Sequence, residues 1–162
     1  MKKQFVKVAV GGTYDELHRG HKTLLLKAFD VGEHVLIGLC SDEFVKKLGK
    51  PHQVAPYNHR LRDLKVFLQE RGWLERAAIV SLGDSYGPTL VNGRIEALIV
   101  SRETEPVARE INKRRKTASL SPLHIVTIDM VPSENHSPIS TTRIRKGEMD
   151  REGHLLGQRK SV

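Results

Sequence analysis

The chain has 162 residues, one cysteine, and 27 Lys+Arg against 19 Asp+Glu, a formal charge of +8. This length suits a single domain with its own hydrophobic core, and a lone Cys40 excludes an internal disulfide and a cysteine-built zinc site. No apolar run approaches the roughly 18 residues of a membrane helix, and residues 1–12 lack the apolar core of a signal peptide, so a cytoplasmic protein with an anionic partner is expected.

Phe5 to Val10 reads as a buried strand that stops at a tight turn on Gly11-Gly12. From Gly20 onward, Leu24, Leu25, Ala28 and Phe29 share one helical face, with Gly32 at the expected C-cap. Val35 to Cys40 is a second apolar strand, and Ser41-Asp42 offers an N-cap for a short helix carrying Phe44, Val45 and Leu48. Pro56 to Arg71 places Leu61, Leu64, Val66, Phe67 and Leu68 at helical spacing before Gly72. Ala77–Leu82 and Ala97–Val100 are strands on either side of the segment GDSYGPTLVNG. Val107–Lys116 is a basic helix, His124–Met130 a further strand, and Thr141 to about Arg145 a last short helix. Residues 151–162 are polar and basic and are expected to fray. Strands alternating with helices predict an α/β, Rossmann-like doubly wound sheet, mostly parallel, with helices on both faces. Ligands of such sheets sit beyond the carboxyl ends of the strands where strand order reverses, so the loops after the first, fourth and last strands are the places for chemistry.

Two segments at those places carry suitable residues. The first, GGTYDELHRGH over residues 11–21, follows the first strand and opens the first helix. It is neither a GxGxxG fingerprint nor a P-loop, yet Gly11 and Gly12 admit a phosphate to the backbone, Thr13 adds a hydroxyl, and the helix start at Gly20 offers free N–H groups. His18 and His21 lie three apart around that start, so both imidazoles can donate to one anion. Zinc would need a third ligand that the scattered remaining histidines do not supply. The second segment, ISTTRIR over residues 139–145, puts Ser140, Thr141 and Thr142 before Arg143 and Arg145 at a helix start, a further combination for anions.

Together these segments resemble the HxGH and ISSTxxR signatures of the nucleotidylyltransferase superfamily, in the right order and about 120 residues apart. Within it, residues 5 to 150 most resemble the archaeal and eukaryotic type of phosphopantetheine adenylyltransferase. The features carrying this are Val8 to Asp15, Pro56-Tyr57-Asn58-His59-Arg60, Asp84-Ser85-Tyr86-Gly87-Pro88, Val100-Ser101-Arg102-Glu103-Thr104 and Ile111-Asn112-Lys113-Arg114. Tyr14 stands where Phe is commoner, and Arg102 where an acidic or neutral residue is expected. The resemblance implies one nucleotidylyltransferase domain over residues 1–150, with ATP and 4′-phosphopantetheine as substrates. It implies His18, His21 and Thr13 at the reacting phosphates; Gly11, Gly12, Gly20, Ser140, Thr141, Thr142, Arg143, Ser101, Glu103 and Thr104 around ATP; and Thr13, Lys47 (or Lys46), Arg60 and Tyr86 toward the phosphopantetheine. Asp15 is expected to organise the turn. Mg²⁺ is expected to arrive with ATP, held by triphosphate oxygens and water rather than a protein cage, and the assembly to be a monomer or small homo-oligomer. Another acceptor, NMN, FMN or an alcohol phosphate, would use the same motifs. A basic nucleic-acid module, suggested by Lys113-Arg114-Arg115-Lys116, fits poorly with 5% aromatic residues.

Overall fold

The computed structural model describes residues 2–49, 53–90 and 93–129. In chain order these form β1 (Phe5–Gly12), α1 (Arg19–Val31), β2 (Gly32–Cys40), α2 (Asp42–Lys47), α3 (Tyr57–Glu70), β3 (Ala77–Leu82), β4 (Ala97–Ser101), α4 (Glu105–Thr117) and β5 (His124–Ile128), with 3₁₀ turns at Leu74–Arg76 and Gly87–Leu90. The helix expected over 141–145, its Ser140, Thr141, Thr142 and Arg143, and the tail 151–162 lie outside the described residues.

Alternation of side chains along the strands divides the core in two. Val8 and Val10 of β1 and Val35, Ile37 and Leu39 of β2 point to the face covered by α1 and α3, where Leu25, Phe29, Leu64 and Leu68 complete the larger cluster. Ala9, Leu36, Leu98 and Val100 point to the other face and meet Ala108 and Ile111 of α4. The five strands run in the order β3-β2-β1-β4-β5 and every pairing is parallel. Both faces are covered, which is why these strands read as near-continuous apolar runs. Strand order reverses between β1 and β4, and of the candidate residues Gly11, Gly12, Thr13, Tyr86 and Thr104 line a cavity at that end of the sheet, whereas His18 and His21 stand outside its lining.

The turn after β1 differs from the expectation. Gly11 and Gly12 belong to the strand, paired with Gly38 and Leu39 of β2, and the chain reverses at Tyr14 (φ 52) and Glu16 (φ 54) instead. The physical reason for Gly38 is close packing, because a Cβ there would stand 2.6 Å from Leu82. At Gly11 the same atom would stand 3.3 Å from it.

Part of the positive charge is structural. Arg76 donates from Nε to the Glu33 carbonyl and from Nη2 to those of Phe29 and Gly32, at 2.7 to 2.9 Å, closing the end of α1. Arg115 is buried and donates to the carbonyls of Thr89 and Ser121, fastening the segment before β4 to α4; burial holds its pKa below the usual guanidinium value. The basic run 113–116 is therefore partly interior, which removes it as a continuous nucleic-acid face.

Candidate active site

His18 is the N-cap of α1, and its side chain does what a Ser or Asp does elsewhere. Its Nδ1 accepts the Gly20 N–H at 3.0 Å and the His21 N–H at 3.3 Å, while His21 Nδ1 accepts the His18 N–H at 3.2 Å. This is a capping box built from two imidazoles. With both Nδ1 atoms acting as acceptors, the hydrogen-bond pattern assigns the proton of each neutral ring to Nε2. The rings stack at 3.7 Å with an interplanar angle of 16°. Both rings are thus held in place by backbone amides at one helix end. Gly20 is required by the same arrangement, since a Cβ would stand 2.8 Å from the His18 ring.

Behind this pair, the Tyr14 ring lies 5.3 Å from that of His21 and against Gly12. Its hydroxyl is buried without a hydrogen-bond partner among the described residues, and burial pushes its pKa above the usual phenol range, with Cys40 adding to the effect. Asp15 is also buried and accepts the Ala55 N–H at 3.2 Å. It ties the turn to the segment leading into α3.

A cavity of about 310 Å³ lies on the α4 side of the sheet. Gly11, Gly12 and Thr13 line it at the end of β1; Tyr86 and Asp84 line it after β3; Thr104, Val107 and Ile111 line it from α4. Gly11 and Gly38 form a side-chain-free strip of its floor, with Leu82 beside them. The segment after β3 is held in shape by Asp84, whose Oδ1 accepts the N–H groups of Tyr86 at 2.8 Å and Gly87 at 2.7 Å. These bonds hold its carboxyl below the usual range. Gly87 has a φ of 53°, and a Cβ would stand 2.4 Å from Leu82, so only glycine fits. The Arg114 guanidinium lies 4.1 Å from the Tyr86 ring centre and turns that residue's position into a property of α4.

Across the switch point, the Thr104 Oγ1 accepts the Ser101 N–H at 3.1 Å and lies 3.2 Å from the Ser101 hydroxyl, while Glu103 is exposed. Arg102 donates to Asp129 at 2.6 Å, joining the ends of β4 and β5. Lys46 and Lys47 are both exposed on α2. Lys47 is three residues from Phe44, which lines the cavity, whereas Lys46 falls on the opposite side of the helix. Arg60 is the residue placed least as expected. Expected toward the phosphopantetheine, it is 1% exposed, with its guanidinium bonded to the carbonyls of Ala55, Thr13 and Cys40 and to Asp42.

A family model described as cytidylyltransferase-like matches residues 9–147. A phosphopantetheine adenylyltransferase from Methanothermobacter thermautotrophicus is 46% identical over 156 residues, covering 96% of this chain and 93% of the relative. The chain belongs to the phosphopantetheine adenylyltransferases, within the cytidylyltransferase-like family. A second such adenylyltransferase, from Methanopyrus kandleri, is 45% identical over 147 residues, with 91% and 92% of the two chains covered. A crystal structure of a protein with unknown function from Archaeoglobus fulgidus matches with a TM-score of 0.67 at 32% identity, covering 76% of this chain and 98% of that one. The Rossmann-like, mostly parallel sheet expected from the alternation of strands and helices is present as five parallel strands, consistent with a nucleotidyltransferase fold. Among the described residues no helix is long and apolar enough to cross a membrane.

Sequence reasoning missed the apolar contribution to the cavity. Leu82, Val107 and Ile111 have the spacing of ordinary core residues, and nothing in their pattern separates a wall from a core. Arg115 was equally hidden, inside a run that reads as a solvated helix face.

Proposed function

We propose that this protein transfers the adenylyl group of magnesium–ATP to 4′-phosphopantetheine, releasing pyrophosphate and 3′-dephospho-coenzyme A. The observation that carries the acceptor is the likeness to phosphopantetheine adenylyltransferases at 46% and 45% identity over most of the chain; the apolar cavity, lined by Thr13 and Tyr86 as well as by Thr104, has room for part of either substrate.

A phosphate oxygen of the acceptor attacks the α-phosphorus of ATP; the bond from that phosphorus to the oxygen bridging to the β-phosphate breaks, and pyrophosphate leaves. The nucleophile is already an anion, so the chain need not supply a strong base. Its work is positioning and charge stabilisation. The Nε2–H groups of His18 and His21 suit donation to the α-phosphate as charge builds, and they are preorganised because the opposite nitrogen of each ring is held by backbone amides. Thr13 would orient the attacking phosphate and Lys47 would neutralise it. Ser101 and Thr104 would border the nucleotide. Ser140, Thr141, Thr142 and Arg143 would take the distal phosphates. Mg²⁺ would arrive with ATP, held by triphosphate oxygens and water, while Asp15, Asp42 and Asp84 each accept backbone N–H groups through Oδ1 and hold the surrounding segments in shape. Mass spectrometry of the product tests the proposal. The expected product has the mass of 3′-dephospho-coenzyme A, and its absence while ATP is consumed would remove the acceptor assignment.

A further inference from the structure

We infer that Arg60 is a positioning residue for this reaction, acting through Thr13 and α2 without touching either substrate; the inference rests on the adenylyl-transfer reading above. The guanidinium is engaged on every nitrogen. Nε donates to the Ala55 carbonyl at 2.7 Å, Nη1 to the carbonyls of Thr13 at 2.9 Å and Cys40 at 2.8 Å, and Nη2 to Asp42 Oδ1 at 3.0 Å. Those acceptors come from the end of β1, the end of β2, the first residue of α2 and the segment before α3. One side chain therefore sets the spacing of the backbone pieces that carry Thr13 on one side and Lys47 on the other.

The network extends one step further. The Ala55 peptide is gripped twice, its carbonyl by Arg60 and its N–H by the buried Asp15 carboxylate, and Asp42 Oδ1 also accepts the Tyr57 N–H at 2.9 Å. Turning the Thr13 carbonyl toward Arg60 fixes the Thr13–Tyr14 peptide plane, because a trans peptide points its N–H the opposite way. Four of the five N–H groups are committed to these acceptors, and swinging the guanidinium out toward a substrate phosphate would take the donor from the carbonyls of Ala55, Thr13 and Cys40. Only the planar five-donor fork of arginine can serve four acceptors spread over three nitrogens; lysine carries the same charge but presents its donors from one point.

Arg60→Lys separates geometry from charge. The expected result is a folded protein whose kcat falls at least about tenfold while KM for ATP stays within about threefold, because a misplacement of the order of 1 Å suffices for such a loss. Adding guanidinium to Arg60→Ala should recover part of kcat, and ammonium should not. A wild-type kcat in Arg60→Lys overturns the inference. So does a loss confined to KM for phosphopantetheine, which would mean direct contact with the acceptor. Asp42→Ala removes the exposed arm of the network, the acceptor of Arg60 Nη2 and of the Tyr57 N–H, and provides the second variant: a fall in kcat of about threefold supports the inference, and an unchanged kcat counts against it. Hydrogen exchange gives a readout independent of turnover. Faster exchange in Arg60→Lys confined to residues 13–15, 40–42 and 55–57 is expected, and a pattern identical to wild type refutes the positioning role. A wild-type protein inactive with ATP and phosphopantetheine would instead fault the reading of the reaction, and the exchange measurement would still decide the network.

Discussion

Replacing Tyr14 by Phe should make the protein more stable. The side chain is 1% exposed, and its hydroxyl has no partner among the described residues. A buried hydroxyl without a hydrogen bond costs about 1–3 kcal/mol relative to water. Deleting one oxygen leaves a void on the order of 10 Å³, worth only a few tenths of a kcal/mol, and the ring keeps its contacts with His21 and Gly12. A net gain of about 1–2 kcal/mol at pH 7 follows, or a rise in melting temperature of about 3–6 °C for a chain of this size. Linkage sharpens the test. Burial raises the phenol pKa in the folded state, so above pH ~10 the unfolded chain releases a proton that the folded chain keeps, and wild-type stability falls by about 1.4 kcal/mol per pH unit from this group. Tyr57 and Tyr86 are common to both proteins and cancel in the difference. Urea unfolding of wild type and Tyr14→Phe at pH 7 and pH 10.5 measures both quantities. A Tyr14→Phe protein less stable than wild type at pH 7, or a gap that does not widen at pH 10.5, would refute the orphaned hydroxyl.

Three further outcomes follow from particular contacts. His18→Asn keeps a good N-cap for α1 but loses the imidazole donor, so its melting temperature should match wild type while kcat falls at least about a hundredfold; His18→Ala should lose the same activity and about 1 kcal/mol of stability as well. Near-normal turnover in His18→Asn would contradict the donor role. Arg115→Leu leaves the Thr89 and Ser121 carbonyls without their donor and should cost about 2–4 kcal/mol in chemical denaturation, with a neutral result excluding the clamp. The Asp84 carboxyl lies below its usual range because two amides stabilise its charged form. Its contribution to the turn is thus present above the unfolded pKa of about 3.9 and lost as pH falls through the lower folded value. The Tyr86 and Gly87 amide resonances should titrate with a midpoint below that of a free aspartate, and a midpoint at or above it would contradict the assignment.

The sheet was legible because parallel strands buried on both faces and amphipathic helices leave periods that composition alone does not. Leu64, Phe67 and Leu68 announced α3, and Ser41 announced the start of α2, where its hydroxyl accepts the Phe44 N–H at 3.1 Å. The turn after β1 was misread because glycine pairs usually mark reversals, whereas here Gly11 packs against Leu82, Gly12 packs against the Tyr14 ring, and the left-handed positions fall on Tyr14 and Glu16. The candidate histidines could be named from their spacing, but not that each caps the start of α1 through its Nδ1. The arginines were the least legible. A charge of +8 suggests an anion, yet Arg60, Arg76 and Arg115 are committed to backbone carbonyls. A lone sequence shows the charge, not the acceptors the fold will bring to it.

The central claim is adenylyl transfer to phosphopantetheine. Pyrophosphate release, measured with ATP and then with CTP against 4′-phosphopantetheine, NMN, FMN and glycerol phosphate in separate reactions with Mg²⁺, tests it most directly. Release with ATP and phosphopantetheine alone is the predicted result; release with a different pair, or with none, would contradict it.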